Sequence, residues 1–193
     1  MPSIRFFLAS TEHPINGGHE LWHQPLADRQ THGSPAAVAP ATTPLTYGDY
    51  FEAVSGFCAT RGWEPIRRAA QKKLQHPVAE KDVGTVSIFL EKHGAFYHPG
   101  RIIVAIRERI LSFVINVAAS AEGRRSLPIE IQALERLGGQ RPFGWLPTVY
   151  ASTLDPHPMF LGDWFDGYHE FHLTRSTRKK DLSLIVWDGA KAP

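Results

Sequence analysis

The clearest strand signal in this chain lies at residues 85–118, TVSIFLEKHGAFYHPGRIIVAIRERILSFVINVA. Apolar side chains alternate along 85–90, and two nearly continuous apolar runs follow at 101–106 and 111–118. A period of two, together with many β-branched residues, is typical of strands. Only the charged triplet 107–109 separates the last two runs, so we predict that they form neighbouring antiparallel strands.

Helical periodicity appears on both sides of this stretch. Before it, Thr46 is a predicted N-cap with Asp49 three residues on, Gly62 breaks the apolar repeat, and Pro65 opens a second helix. After it, apolar residues recur at helical spacing over 127–137 and end at a glycine pair. We therefore predict an N-terminal helical pair in front of the sheet and one further helix packed on it.

Strand patterns return after the second helical region. We predict strands at 146–151 and 182–187, and a hairpin over 160–173 in which Asp166-Gly167 is a preferred two-residue turn. Together these elements predict an α+β domain whose antiparallel sheet has about five to seven strands and packed helices.

Residues 1–44 differ in composition from the rest of the chain. They hold four histidines at irregular spacing, and a Pro/Ala/Thr stretch without an apolar face at 34–44. We predict a disordered tail and linker over 1–44 and a folded domain over 45–193. Irregular spacing and the lack of a nearby cysteine give no reason to expect a metal site in the tail.

Composition and charge narrow the classes of function. A hydrophobic fraction of 42% supports a buried core, and a single cysteine excludes an intramolecular disulfide scaffold. No apolar run reaches the roughly 18 residues of a membrane helix, and the patch at 4–9 is shorter than the core of a secretory signal. We expect a cytoplasmic protein without a membrane partner. With a net charge of +2 and one basic run at 175–180, interpreted as a solvated loop, we do not expect a dedicated nucleic-acid binder.

The order strand, glycine-bearing loop, strand, strand, helix, strand, strand resembles the small lobe of protein kinases. The chain is similar to a family of uncharacterised bacterial proteins distantly related to protein kinases and aminoglycoside phosphotransferases. The matching segments are EKHGAFYHP at 91–99, NVA at 116–118 and WFDGYHEFH at 164–172, within a resemblance that covers 45–190. It implies a nucleotide-holding lobe whose catalytic and metal-binding aspartates lie in a second lobe, so we expect no catalytic residue here.

The resemblance implies nucleotide- or ligand-binding positions at His93, Gly94, Tyr97, His98, Arg101, Ser120, Glu130, Trp164 and His169. Ser120 stands where the kinase strand ends in lysine, so Glu130 lacks its ion-pair partner and the usual lysine is missing for clamping a nucleotide. The side chains from His93 to Arg101 form a candidate anion pocket, or alternatively a loop tied down by aromatic packing. His169 lies in a polar strand or at a hinge-like pocket edge. His172 would point to the opposite strand face, which argues against a shared metal ion.

Three functions remain open from the sequence. The first is a non-catalytic interaction module that binds a second lobe, a partner protein or its own copy through an apolar surface near Tyr150, Trp164 and Tyr168. The second is the nucleotide-binding half of a divergent phosphotransferase, which would use ATP and Mg²⁺ and take its second lobe from another chain. The third is a small-molecule or nucleic-acid binding module that uses Arg101 and the basic run 175–180.

Overall fold

The computed structural model describes residues 2–8, 13–26, 45–91, 97–118, 120–137 and 146–164. The chain divides after Asp163, and every element named below belongs to the unit Met1–Asp163. The fold is α+β, as predicted. Its elements in chain order are β1 (Ile4–Leu8), α1 (Tyr47–Leu74), a 3-10 turn (Glu80–Asp82), β2 (Val83–Leu90), β3 (Tyr97–Ile106), β4 (Arg109–Ala118), α2 (Ala121–Leu137), β5 (Val149–Thr153) and β6 (Met159–Asp163).

The six strands form one sheet in the order β1-β2-β3-β4-β6-β5. β3 and β4 pair as antiparallel neighbours, with Ile106 opposite Arg109, which confirms the predicted hairpin. The pairs β2–β3, β4–β6 and β5–β6 are also antiparallel. In contrast, β1 runs parallel to β2. The prediction of a purely antiparallel sheet was therefore wrong, and the sheet is mixed.

Part of the segment predicted to be a disordered tail is ordered. β1 lies in the sheet, and the Ile15 N–H donates to the Phe6 carbonyl at 2.8 Å. The Phe6 ring lies 5.6 Å from that of Trp22 and 4.9 Å from that of Phe51 on α1. Burial of these aromatic rings offsets the entropy lost on ordering the segment. The rest of the predicted linker, at 27–44, lies outside the described residues.

Helix α1 begins at the predicted N-cap. Thr46 Oγ1 accepts the Asp49 N–H at 3.1 Å, and Asp49 Oδ2 accepts the Thr46 N–H at 2.9 Å, so the two residues form a reciprocal capping box. The element Tyr47–Leu74 consists of two helical segments that meet at a kink. Its backbone leaves helical geometry between Thr60 and Trp63, around the glycine where a break was predicted.

The two helices cover opposite faces of the sheet. Successive strand residues point to opposite faces, and Phe113 and Ile115 of β4 join the large core beneath α1. Ala118 of β4 and Phe160 of β6 instead join a smaller core with Leu127 of α2. Neither helix, nor any other in the described ranges, combines the length and apolar character needed to cross a membrane.

Several elements begin at other residues than predicted. Residues 97–100, predicted to belong to a glycine-bearing loop, are the first residues of β3. α2 begins at Ala121 rather than near 127, because the Ser120 side chain caps its first turn. The predicted turn and last strand within 165–193 lie outside the described residues.

An exposed ion pair joins the 3-10 turn to the β3–β4 hairpin. The Arg107 guanidinium donates to Asp82 Oδ2 at 2.9 Å, and this contact, helped by the Ala79 N–H, lowers the pKa of Asp82 from 3.8 to about 2. A lowered carboxyl pKa favours the folded state, and this contribution is complete above pH ~4 and disappears as the pH falls below the folded-state pKa of about 2. We expect Asp82→Asn to unfold at lower urea concentration than wild type at pH 7. The two midpoints should approach each other as the pH falls below ~4 and converge below ~2, and a constant difference would contradict this reasoning.

Candidate functional site

The structure separates the side chains predicted to form an anion pocket. His98 points to the α1 face, where it is 2% exposed and its ring lies edge-on to that of Tyr50 at 6.4 Å. Tyr97 and Arg101 are an odd number of positions from His98 along β3, so they point to the α2 face. The imidazole therefore does not share a pocket with the guanidinium. His93 and Gly94 lie outside the described residues.

On the α2 face, serine hydroxyl groups form hydrogen bonds with the side chains of Tyr97 and Arg101. The Tyr97 hydroxyl lies 3.1 Å from Ser126 Oγ of α2, and Arg101 donates to Ser112 Oγ of β4 at 3.1 Å. Burial raises the pKa of Tyr97, and the nearby Glu130 acts in the same direction. These contacts connect β3 to α2 and to β4.

Ser120, which was predicted to stand at the lysine position of a kinase strand, lies between β4 and α2 and has a structural partner. Ser120 Oγ accepts the Gly123 N–H at 3.1 Å and caps α2. A hydroxyl engaged in this way supplies no positive charge for a phosphate. Trp164, partly buried, is the last described residue, and His169 lies outside the described residues.

The single cysteine has the character of a packing residue. Cys58 is fully buried in the core beneath α1, and burial raises its pKa to about 12. Nucleophilic thiols have lowered pKa values, so this thiol stays protonated at neutral pH. Over the ranges that the structure describes, no three His, Cys, Asp or Glu side chains come together as a metal-binding group.

A groove of about 570 Å³ follows the outer edge of β5. Glu135 of α2 lies on one side of the strand, where Ser152 donates to its carboxylate at 3.3 Å. All five residues of β5 contribute to the groove. The opposite wall comes from α1 and comprises Phe57, Thr60, Arg61, Glu64, Pro65 and Arg68.

Within the described residues, the backbone edge of β5 that faces this groove has no paired strand. β5 is the last strand of the sheet, and in the described part of the chain it pairs with β6 alone. N–H and C=O groups on its other edge are therefore available to a further strand. Its sequence, VYAST at 149–153, contains neither the lysine nor the proline with which many proteins block such an edge.

A break in α1 shapes the helical wall of the groove. Arg61, Gly62 and Trp63 adopt successive left-handed φ values of 49°, 66° and 65°. This conformation costs a non-glycine residue about 1–2 kcal/mol. Packing maintains it: Trp63 is buried, and a Cβ at Gly62 would lie 2.5 Å from Glu80 Oε2. Strained backbone concentrates at functional sites, and this break places Thr60 and Arg61 in the groove wall.

Asp163 of β6 anchors β5. Its Oδ2 accepts the Thr148 N–H at 2.9 Å, its Oδ1 accepts the Tyr150 hydroxyl, and Lys73 Nζ lies 3.8 Å from Oδ1. The Tyr150 ring packs at right angles to that of Phe113, 5.8 Å away. Burial, followed by the bond to Asp163, raises the pKa of Tyr150 above its usual value. Tyr150 was predicted on an exposed apolar surface, but it is buried and positions the groove from beneath.

Comparison with known proteins assigns no relative to this fold or groove. No family model matches the chain, and neither the curated proteins nor the solved structures contain a match. The function is therefore inferred from the groove itself.

Proposed function

We propose that this chain is a non-catalytic interaction module that binds an extended protein segment along the open edge of β5. The observation that carries this function is the coincidence of a walled groove of about 570 Å³ with a strand edge that no described residue pairs with. Strand addition draws affinity from main-chain hydrogen bonds and selectivity from the side chains beside the edge. It needs no catalytic group.

The groove walls define the chemistry of the segment. Side chains of an added strand alternate between the two faces of the sheet. Those on the α1 face meet two cations and one anion, Arg61, Arg68 and Glu64, around an apolar surface that includes Phe57. Those on the α2 face meet Glu135. The net charge of the α1 wall is positive, so a fitting segment carries mainly acidic or apolar side chains towards α1 and neutral or basic ones towards α2.

The order β2-β3-β4-α2-β5-β6 also supports the proposal that the domain is related to a kinase small lobe. The alternative function, a phosphotransferase half that holds ATP and Mg²⁺ beneath a second lobe, depends on that relationship alone. Two residues disfavour it: Ser120 caps α2, and Gly100 is packed against Tyr50. We place the interaction module in the cytoplasm, in keeping with the single buried cysteine.

A selection of random peptides displayed against the purified chain tests this function. We expect selected peptides to bind with micromolar Kd. Their affinity for Arg61→Glu/Arg68→Glu should fall at least about tenfold, or ~1.4 kcal/mol, because the variant reverses the two positive charges of the groove wall. A matched control, Arg109→Glu/Arg125→Glu, makes the same charge change at exposed positions that do not line the groove. Peptides that bind all three proteins equally would contradict a site at the groove.

Calorimetric titration with ATP and Mg²⁺ separates the two candidate functions. An interaction module without a phosphate-binding lysine should give no saturable heat. Saturable, Mg²⁺-dependent binding would favour the phosphotransferase half instead.

A further inference from the structure

The groove along β5 also indicates its occupant, and this inference rests on the proposed function. We propose that the segment bound there is β5 of a second copy of this chain. The two strands would pair antiparallel about a two-fold axis, so that two six-stranded sheets join into one.

The two edges of the sheet differ in how they are covered. At the β1 edge, the chain itself supplies Ile15, whose N–H donates to the Phe6 carbonyl at 2.8 Å, and Trp22 packs on the Phe6 ring. No described residue covers the β5 edge in this way, and the strand carries no lysine or proline that would block pairing. An open edge is a template for pairing. Every molecule of the protein carries this same edge, so a second copy always offers a matching strand.

The charges of the groove suit a two-fold contact. The groove contains Arg61, Arg68, Glu64 and Glu135, two cations and two anions. Across the described residues no ion pair links these four side chains to one another. A two-fold interface brings the same surface of both copies together, so the surface must complement itself. Equal numbers of both signs allow this, whereas a groove of one sign would repel its copy.

The side chains of β5 allow a second strand to approach. A register shift between Val149 and Ala151 leaves Ala151, Ser152 and Thr153 as the regular part of the strand, and all three side chains are small. The two-fold axis therefore falls within 151–153. Because three residues pair on each side, the α1 walls of both copies must supply much of the contact. We therefore expect an interface whose buried area is towards the small end of stable interfaces, and a dimer of micromolar Kd.

Complementary charge variants test whether the occupant is a second copy. Arg61→Glu/Arg68→Glu makes the groove wholly acidic, and Glu64→Arg/Glu135→Arg makes it wholly basic. In sedimentation velocity across a micromolar dilution series, we expect wild type to dimerise and each variant alone to associate at least about tenfold more weakly. An equimolar mixture of the two variants should recover a heterodimer. Arg109→Glu/Arg125→Glu should dimerise as wild type does, and thermal melts by circular dichroism verify that each variant folds.

Single cysteines provide a second readout that does not depend on the charges. The native Cys58 is buried, so an introduced exposed cysteine is the reactive thiol. About a two-fold axis normal to the sheet, only the residue on the axis faces its own copy. Among Ala151→Cys, Ser152→Cys and Thr153→Cys, one should therefore form an intermolecular disulfide much faster than the other two. Ile110→Cys, exposed on β4, is the control for random collision.

A monomer at every concentration, or variants that associate like wild type, would overturn the second-copy inference. If selected peptides still bound the groove of that monomer, the proposed function would survive with a foreign segment as occupant. If neither peptides nor a second copy bound, both would fail.

Discussion

Adding one methyl group at Gly100 should lower the free energy of unfolding by about 2–3 kcal/mol, the usual range for overpacking a core. In Gly100→Ala the new Cβ would lie 2.8 Å from the Phe89 carbonyl oxygen and 3.1 Å from Ile115 Cγ2, and it would overlap the Tyr50 hydroxyl. Backbone and fully buried side chains cannot move away cheaply. Urea unfolding followed by circular dichroism measures the loss.

Gly56→Ala is the matched control for this variant. Gly56 lies in α1, and no atom lies within 4 Å of the position of its added Cβ. Alanine favours a helix interior over glycine by up to ~1 kcal/mol, so the control should gain stability where Gly100→Ala loses it. Equal responses would contradict a packing role for Gly100. They would leave room for the kinase-like interpretation, in which this glycine lets the backbone approach a phosphate.

Removing the Asp163 carboxylate should cost about 2–3 kcal/mol of stability, because hydrogen bonds to a charged acceptor are among the stronger ones. In Asp163→Ala, the Thr148 N–H and the buried Tyr150 hydroxyl both lose their acceptor. The loss should be local as well as global, since these two contacts tie β5 to β6. Urea unfolding gives the global effect, and amide hydrogen exchange at 149–153 gives the local one.

Glu108→Ala provides the comparison, because it removes an exposed carboxylate from the β3–β4 turn. Its stability and its β5 exchange should match wild type. If Asp163→Ala left exchange at 149–153 unchanged, Asp163 would not be the anchor of β5, and the groove would owe its shape to other contacts.

The parts of the fold that were predictable depend on local pattern. The β3–β4 hairpin follows from two apolar runs separated by a charged turn, and the start of α1 follows from the Thr46 and Asp49 cap. Both signals act over a few residues, so no distant contact overrides them. The same holds for the break near Gly62, where a left-handed backbone suits glycine.

The parts that were missed depend on contacts between distant residues. Ile4 pairs with Val86, and no local pattern reveals a parallel partner so far along the chain. The histidine, proline and glycine at 98–100 are typical of a loop, yet packing of His98 and Gly100 against Tyr50 draws them into β3. The groove was missed for the same reason, because only the order of the strands places β5 at an edge.

The most direct measurement of the open edge is amide hydrogen exchange across β5 as a function of protein concentration. If an added strand occupies the edge, exchange at 149–153 should slow as the concentration rises, while exchange at the covered edge, 4–8, stays constant. In the variant Arg61→Glu/Arg68→Glu, exchange at 149–153 should remain fast at every concentration. It should slow only when the complementary variant Glu64→Arg/Glu135→Arg is added. Exchange at 149–153 that is the same at every concentration, and is unaffected by any selected peptide, would contradict strand addition at β5.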